Sequence, residues 1–170
     1  MTVTDSTDAQ LPAGLVYASA TQVNYQMPSA AAAGAGKVTI TAAGVAVSGT
    51  VNIAATYPGI FKAGADGLAA AQTTTVNGNA QVLGSVAAPI DLSSGTVYLT
   101  LYGTGIGNAS VTATIGAVNA TVSYAGPQGT YPGLDQVNLQ IPASLAGKGK
   151  VNVVVTAAGK SANPVYVVIQ

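Results

Sequence analysis

The sequence predicts an all-β chain made of two tandem antiparallel β-sandwich units. Apolar and polar residues alternate with a period of two in short segments bounded by Gly, Pro, Asn and Ser, a pattern typical of half-buried strands. The apolar residues are 49% of the 170 and are mainly Ala, Val, Ile and Leu, with one Phe and no Trp. Such residues favour a thin core between paired sheets over a deep pocket.

The clearest strand pattern occurs twice along the chain. In residues 21–27 apolar side chains alternate with Gln and Asn until Pro28 ends the segment, and Tyr25 falls on the apolar face. Residues 136–141 repeat this plan and are followed by Pro142. Since proline cannot donate to a strand ladder, each segment is expected to end there. We therefore predict two equivalent strands, with Tyr25 buried.

Three further matches occur in the same order around these two segments, which indicates an internal duplication. The Thr-Ala-Ala-Gly match predicts a tight turn between two strands in each copy. The matched segments are residues 16–18 with 123–125, 36–38 with 149–151, and 41–44 with 156–159.

The duplication predicts a first unit over residues 1–60 and a second unit over residues 61–170. A Tyr-Pro-Gly turn marks the junction, and an Asn-Gly step predicts a hairpin over residues 69–83. The second copy is preceded by an alternating segment, residues 96–102, that has no counterpart before the first copy. The first unit is therefore predicted to lack an N-terminal strand and to expose a sheet edge and an apolar slot.

The charge pattern argues against two classes of partner. Five Lys and five Asp give a net charge of zero, and the chain has no Arg, Glu or His. Nucleic acids and anionic lipids are normally bound by basic clusters, so neither is expected as a partner. A neutral surface suits either packing against copies of the chain or a Thr/Ser/Asn/Gln surface that stays soluble without charge. No run of about 18 apolar residues is present, which excludes a transmembrane helix.

The two copies also carry a resemblance to a known family. Residues 17–28, 89–92, 101–106 and 124–142 resemble a C-terminal repeat module of large secreted proteins of Acidobacteria, chiefly Solibacter-like species. The resemblance covers nearly the whole chain and implies immunoglobulin-like sandwich units, a secreted or cell-surface location and no known biochemical activity. Members usually carry a segment like residues 101–106 before the first repeat, and here the first repeat lacks it. The N-terminus has no signal-peptide pattern, so we expect a removed leader or a cut piece.

The residue types present leave little catalytic chemistry. Without His, Cys, Glu or Arg, the usual nucleophile–base pairs and metal clusters cannot form, so we expect no enzyme, no cofactor and no metal site. Asp5 and Asp8 suggest either a weak calcium site or, more simply, a solvated turn. The Gly-rich loop of residues 103–107 suggests either a nucleotide loop or a β-turn, and the strand patterns on both sides favour the turn.

Two lysine–asparagine pairs raise the question of a cross-link. Lys37 and Lys150 begin equivalent strands, and Asn24 and Asn138 lie on the preceding ones. An amide bond between such residues would compensate for missing disulfides, but it needs a promoting carboxylic acid, and no Asp occupies an equivalent position in both copies. An exposed lysine at each strand start is the simpler interpretation.

Tyr57 and Tyr131, each in a Tyr-Pro-Gly turn, are the candidate surface-contact residues, with turn packing as the alternative role. The sequence as a whole predicts a non-enzymatic extracellular structural or adhesive module, in the form of a self-assembling fibre or stalk subunit that uses strand complementation. Its expected partners are copies of itself or neighbouring domains of a larger exported protein. The alternative is a polysaccharide- or ligand-binding accessory module of a larger secreted protein, with carbohydrate as its partner.

Overall fold

A computed structural model describes all residues from Met1 to Gln170 and confirms the all-β prediction. It contains sixteen strands, and every strand pair is antiparallel. The only helix is a single 3₁₀ turn at Ala143–Leu145, so no helix is long enough to cross a membrane. Contacts divide the chain into two compact units, Met1–Ala55 and Thr56–Gln170.

The first unit has a small core and two short sheets. One sheet has the order β2-β1-β5-β6, and the other pairs β3 with β4. Val3 and Ile53 are its only buried apolar residues. Its strands are β1 (Thr2–Thr4), β2 (Gln10–Pro12), β3 (Gly14–Ala18), β4 (Val23–Gln26), β5 (Gly34–Ala42) and β6 (Val45–Ile53).

The second unit has ten strands that curl around one apolar core. Their order is β15-β14-β11-β12-β13-β10-β8-β9, with β16 paired to β14 and β7 paired to β10. The core is formed by inward residues of β10, β11, β13, β14 and β16. The strands are β7 (Gly59–Ile60), β8 (Ala71–Asn77), β9 (Ala80–Ser85), β10 (Thr96–Thr104), β11 (Val111–Ile115), β12 (Val118–Pro127), β13 (Asp135–Gln140), β14 (Gly149–Ala157), β15 (Lys160–Ser161) and β16 (Val165–Ile169).

Strand β12 takes the sheet around a corner. Its first half pairs with β11 and its second half pairs with β13, with a bulge between Val122 and Tyr124. A bulge adds local twist and bend, which lets one strand belong to both layers. In the first unit two separate strands take the place of this single strand: β2 pairs with β1, and β3 pairs with β4. The β3–β4 pairing has a bulge between Leu15 and Tyr17.

The repeated sequence segments take up the same local structure in both units. Each copy places a Tyr directly opposite an Asn on the next strand, and each carries a hydrogen bond from a Gln Nε2 to that Asn Oδ1. The pairs are Tyr17 with Asn24 and Tyr124 with Asn138. The hydrogen bonds run from Gln22 to Asn24 at 2.6 Å and from Gln136 to Asn138 at 2.9 Å.

The predicted tight turns are present and equal in geometry. Ala43 and Gly44 have φ values of 48° and 80°, and Ala158 and Gly159 have 48° and 76°. Two consecutive positive φ values define the type I′ turn, whose twist matches that of the strands it joins. The hairpin predicted over residues 69–83 also forms, between β8 and β9.

Two sequence-based expectations differ from the structure. Strand β7 pairs with β10, so the segment up to residue 60 contributes to the sheet of the second unit, and the division falls after Ala55. Tyr25 was predicted to be buried but is only half-buried. The physical reason is that β4 has a strand on one side only, so its apolar face is incompletely covered.

Candidate functional site

The main candidate site is the outer edge of β4. Its counterpart in the second unit, β13, lies between two strands, with six residue pairs to β10 and six to β12. Strand β4 pairs with β3 alone. The backbone N–H and C=O groups on the outer edge of β4 therefore have no strand partner, which makes this edge a template for another strand.

Exposed apolar side chains lie beside this edge. Leu15 and Val16 on β3 are 60% and 67% exposed. Leu15 is opposite Tyr25, and its counterpart Val122 is half-buried opposite the fully buried Leu139. The same sequence plan therefore leaves apolar surface uncovered in the first unit.

The edge also lacks the residues that usually protect free strands. Neither β3 nor β4 contains a charged residue or a proline. Natural sheet edges are commonly blocked by Lys, Pro or an inward-pointing charge, because these residues prevent pairing with another chain. In the β3–β4 sheet, therefore, the backbone groups of the β4 edge are free, and no charged residue or proline blocks the addition of a strand.

Tyr57 and Tyr131 are strongly exposed, at 76% and 66%. The structure brings their turns to the same end of β10, where Gly59 pairs with Thr104 and the Gly133 carbonyl accepts a 3.1 Å hydrogen bond from Thr104 Oγ1. Both turns are held by their backbones, and both rings face solvent. Surface contact and turn packing stay the two predicted roles of these residues.

The Gly-rich loop at that end is held by an internal carboxylate. Asp135 is buried, and its Oδ2 accepts hydrogen bonds from Ile106 N at 2.7 Å and Gly107 N at 3.0 Å. The loop leads into β11 and not into a helix. Because its amides already bind a carboxylate of the chain, the loop follows the β-turn interpretation.

Asp5 performs a similar task in the first unit. Its Oδ1 accepts hydrogen bonds from Thr7 and Ala9, and its Oδ2 accepts one from Ala32 N at 2.8 Å. The amide of Ala32, then the hydroxyl of Thr7, lowers the pKa of Asp5 from 3.8 to about 2. A solvated turn was expected here; the carboxylate is instead buried and joins two loops.

Lys150 contacts a tyrosine and not Asn138. Its Nζ lies 3.7 Å from the centre of the Tyr166 ring, and the Tyr166 hydroxyl donates to Asp66. That hydrogen bond lowers the pKa of Asp66 and raises the pKa of Tyr166. Asn138 lies on β13, which is separated from β14 by two strands. The structure thus places Lys150 in a surface contact and away from the proposed cross-link in this unit.

A second candidate site is a shallow groove on the outer face of the second unit. It has a volume of about 410 Å³ and crosses five adjacent strands. Its lining residues are Gln81 from β9, Thr74 and Val76 from β8, Tyr98 and Thr100 from β10, Asn138 from β13 and Ser123 from β12.

Sequence reasoning missed this groove, although its signal was present. Val97, Leu99 and Leu101 alternate along the segment of residues 96–102, and they are fully buried. The residues between them, Tyr98 and Thr100, therefore had to point outward. The sequence does not show which strands flank β10, because β13 and β8 reach it through long-range pairing.

No protein-family model, no curated protein and no solved structure matches the chain significantly. The all-β class therefore stands on the structure itself. The resemblance to an acidobacterial secreted module stays a prediction.

Proposed function

We propose that this protein is a non-enzymatic extracellular structural module that assembles with its neighbours by strand complementation at the outer edge of β4. One observation supports this most directly: β4 pairs with β3 alone, whereas its counterpart β13 has a second partner, β10. In this proposal both units are immunoglobulin-like sandwiches, and the first is completed by a strand from another copy or from a neighbouring domain.

The side chains of β10 indicate which residues the missing partner strand would carry. Its inner face carries Val97, Leu99 and Leu101, all buried, and its outer face carries Thr and Tyr. A strand with this alternation would cover the face of β4 and pair with its free backbone groups, as strand-addition complexes do. The partner is therefore expected to be an uncharged, alternating segment of about six residues or more.

The surface chemistry supports packing between copies of the chain. The net charge is zero and only ten residues are charged, five Lys and five Asp, so little like-charge repulsion opposes packing between copies. A heterologous contact joins two different surfaces of identical chains, and it extends into a fibre when it does not close into a ring. When the β4 edge of one copy receives a segment from a different part of a second copy, the contact is heterologous.

The test is the mass of the purified chain across a concentration series, measured by light scattering after size exclusion and accompanied by negative-stain images. We expect the mass to rise with concentration and filaments to appear. Tyr25→Lys, which places a charge on the inner face of β4, is expected to keep the chain monomeric. The matched control is Thr41→Lys, at an exposed residue of β5, a strand that lies between β1 and β6, and it should still assemble. A wild-type monomer at every concentration contradicts the proposal.

A peptide experiment tests the edge itself. A synthetic peptide with the sequence of Thr96–Thr104 is expected to bind the chain and to block assembly, because β10 fills the equivalent edge in the second unit. A peptide of the same composition with the order of Leu99 and Thr100 exchanged breaks the alternation and should not bind. Equal binding of both peptides would indicate non-specific apolar contact and contradict strand complementation.

A further inference from the structure

We propose that the groove on the outer face of β8, β10 and β13 binds a neutral polysaccharide. This site lies within the second unit and is separate from the β4 edge. The proposal starts from the type of side chain in the groove, which combines a tyrosine ring with hydroxyl and amide groups. Sugars are bound by aromatic ring faces together with hydrogen-bonding groups, because a sugar has apolar C–H faces and a rim of hydroxyls.

The absence of charge selects the ligand class. The five strands β8, β9, β10, β12 and β13 contain a single charged residue, Asp135, which is buried and hydrogen-bonded to Ile106 N and Gly107 N. An anionic ligand would need cationic side chains to offset its desolvation, and a cationic ligand would need exposed carboxylates. Neither is available, so the groove suits a ligand with hydroxyls and no charge.

The polar groups continue along the sheet beyond the groove. Tyr98, Thr100 and Tyr102 of β10 lie opposite residues of β13 that all carry amides. Tyr102 donates a 3.2 Å hydrogen bond to Gln72 Oε1 on β8. The facing amides, in the same order, are those of Gln140, Asn138 and Gln136.

This arrangement also indicates the length of the ligand. Tyr98 and Tyr102 are four residues apart on one face of one strand, which corresponds to about 13 Å. A single sugar ring cannot contact both tyrosines at once, whereas a chain of several sugars can. We therefore expect an oligosaccharide to bind much more tightly than the corresponding monosaccharide.

A second hollow on the same unit provides an internal control. It has a similar volume, about 430 Å³, and is lined by residues of β11 and β12. It contains no tyrosine and no glutamine; its polar side chains are those of Thr112 and Asn119. If sugar binding depends on the tyrosine and amide groups and not on a shallow hollow alone, only the first groove should bind.

The experiment titrates the full chain with maltohexaose, cellohexaose, xylohexaose and mannohexaose, by calorimetry and by amide NMR shifts. We expect at least one hexasaccharide to bind with a dissociation constant below about 1 mM and to shift residues of β8, β10 and β13. Its monosaccharide should bind at least tenfold more weakly, by roughly the loss of one tyrosine contact. The Tyr25→Lys variant is titrated in parallel, so that failure of sugar binding and failure of assembly are told apart.

Three variants locate the binding. Thr100→Lys, which fills the groove with a long charged side chain, is expected to weaken binding at least tenfold, and Thr112→Lys in the second hollow should leave it unchanged. Tyr98→Phe should retain binding within about threefold if the ring is what contacts the sugar. Thermal melting of each variant verifies that the fold is retained.

The proposal is overturned if none of the four hexasaccharides binds, or if Thr112→Lys weakens binding as much as Thr100→Lys does. It is also overturned if Thr100→Lys changes the mass of the chain in solution while no sugar binds. In that case the groove is covered by a second copy.

Discussion

The β3–β4 pair of the first unit and the β12–β13 pair of the second are two solutions to nearly the same local sequence. They share the bulge, the facing Tyr and Asn, and the Gln–Asn hydrogen bond. They differ in burial, since Val137 is fully buried whereas Val23 is half-buried. The comparison teaches that local sequence determines strand register, while burial depends on whether a third strand such as β10 is added.

The most direct way to break this comparison is one substitution made at both equivalent positions. Val137→Ala is expected to lower the free energy of unfolding of the second unit by about 2 to 3 kcal/mol, because it removes two buried methyl groups and leaves a cavity. Val23→Ala should cost less than about 1 kcal/mol, because that side chain is already partly in water. Urea denaturation followed by circular dichroism at low protein concentration measures both. Equal losses would mean that the β4 edge is covered.

The loop held by Asp135 allows a second comparison within the same unit. Asp135→Ala should destabilise the second unit by about 1 to 3 kcal/mol, because the amides of Ile106 and Gly107 lose their acceptor. Asp91→Ala is the control, since that carboxylate is exposed and accepts from the neighbouring Ser93. The two urea midpoints should differ clearly. A loss for Asp91→Ala as large as that for Asp135→Ala would contradict this account.

Acid should affect the first unit through Asp5. The pKa of this carboxyl is lowered from 3.8 to about 2 in the fold, so its contribution to stability is complete above about pH 4 and is lost as the pH falls toward 2. NMR signals of the loop around Ala32 should report this loss between those values. Asp5→Asn should remove the transition. If the variant keeps the wild-type pH profile, another group is responsible.

The smallest effect is expected at the matched turns. Ala43 and Ala158 both have a φ of 48°, a region that costs a non-glycine residue energy and that Asn tolerates better. Ala43→Asn and Ala158→Asn should each stabilise their hairpin by about 0.5 to 1 kcal/mol. Because the two turns have the same geometry, the two substitutions should raise the free energy of unfolding by similar amounts. Thermal melting of each variant measures both gains. Opposite signs would show that the turns are not equivalent.

Much of the local structure could be predicted from the residue pattern. Alternation located the strands around Tyr25 and Leu139, and the Thr-Ala-Ala-Gly segments located both turns. These features depend on neighbours in sequence, which is why a single sequence reveals them. The short first copy also pointed to a missing strand.

The rest depends on pairing between distant residues. No local pattern states that β10 lies between β13 and β8, so neither the outward groove around Tyr98 nor the pairing of Gly59 with Thr104 could be derived. The carboxylate of Asp135 has the same origin, since it binds amides 28 and 29 residues away. Long-range contacts of this kind are set by the whole fold.

The corner strand has a consequence for how the two units would respond to mechanical force. In the second unit β12 runs without interruption from β11 to β13, so a pull on it must shear hydrogen bonds in both layers together. In the first unit the same path is divided between β2 and β3 at Ala13, and each piece holds only one neighbour. Forced unfolding is governed by the rate at which such contacts break. If the chain is pulled from its two ends, the first unit is therefore expected to unfold before the second. A strand added at β4 would raise the force that is needed to unfold it.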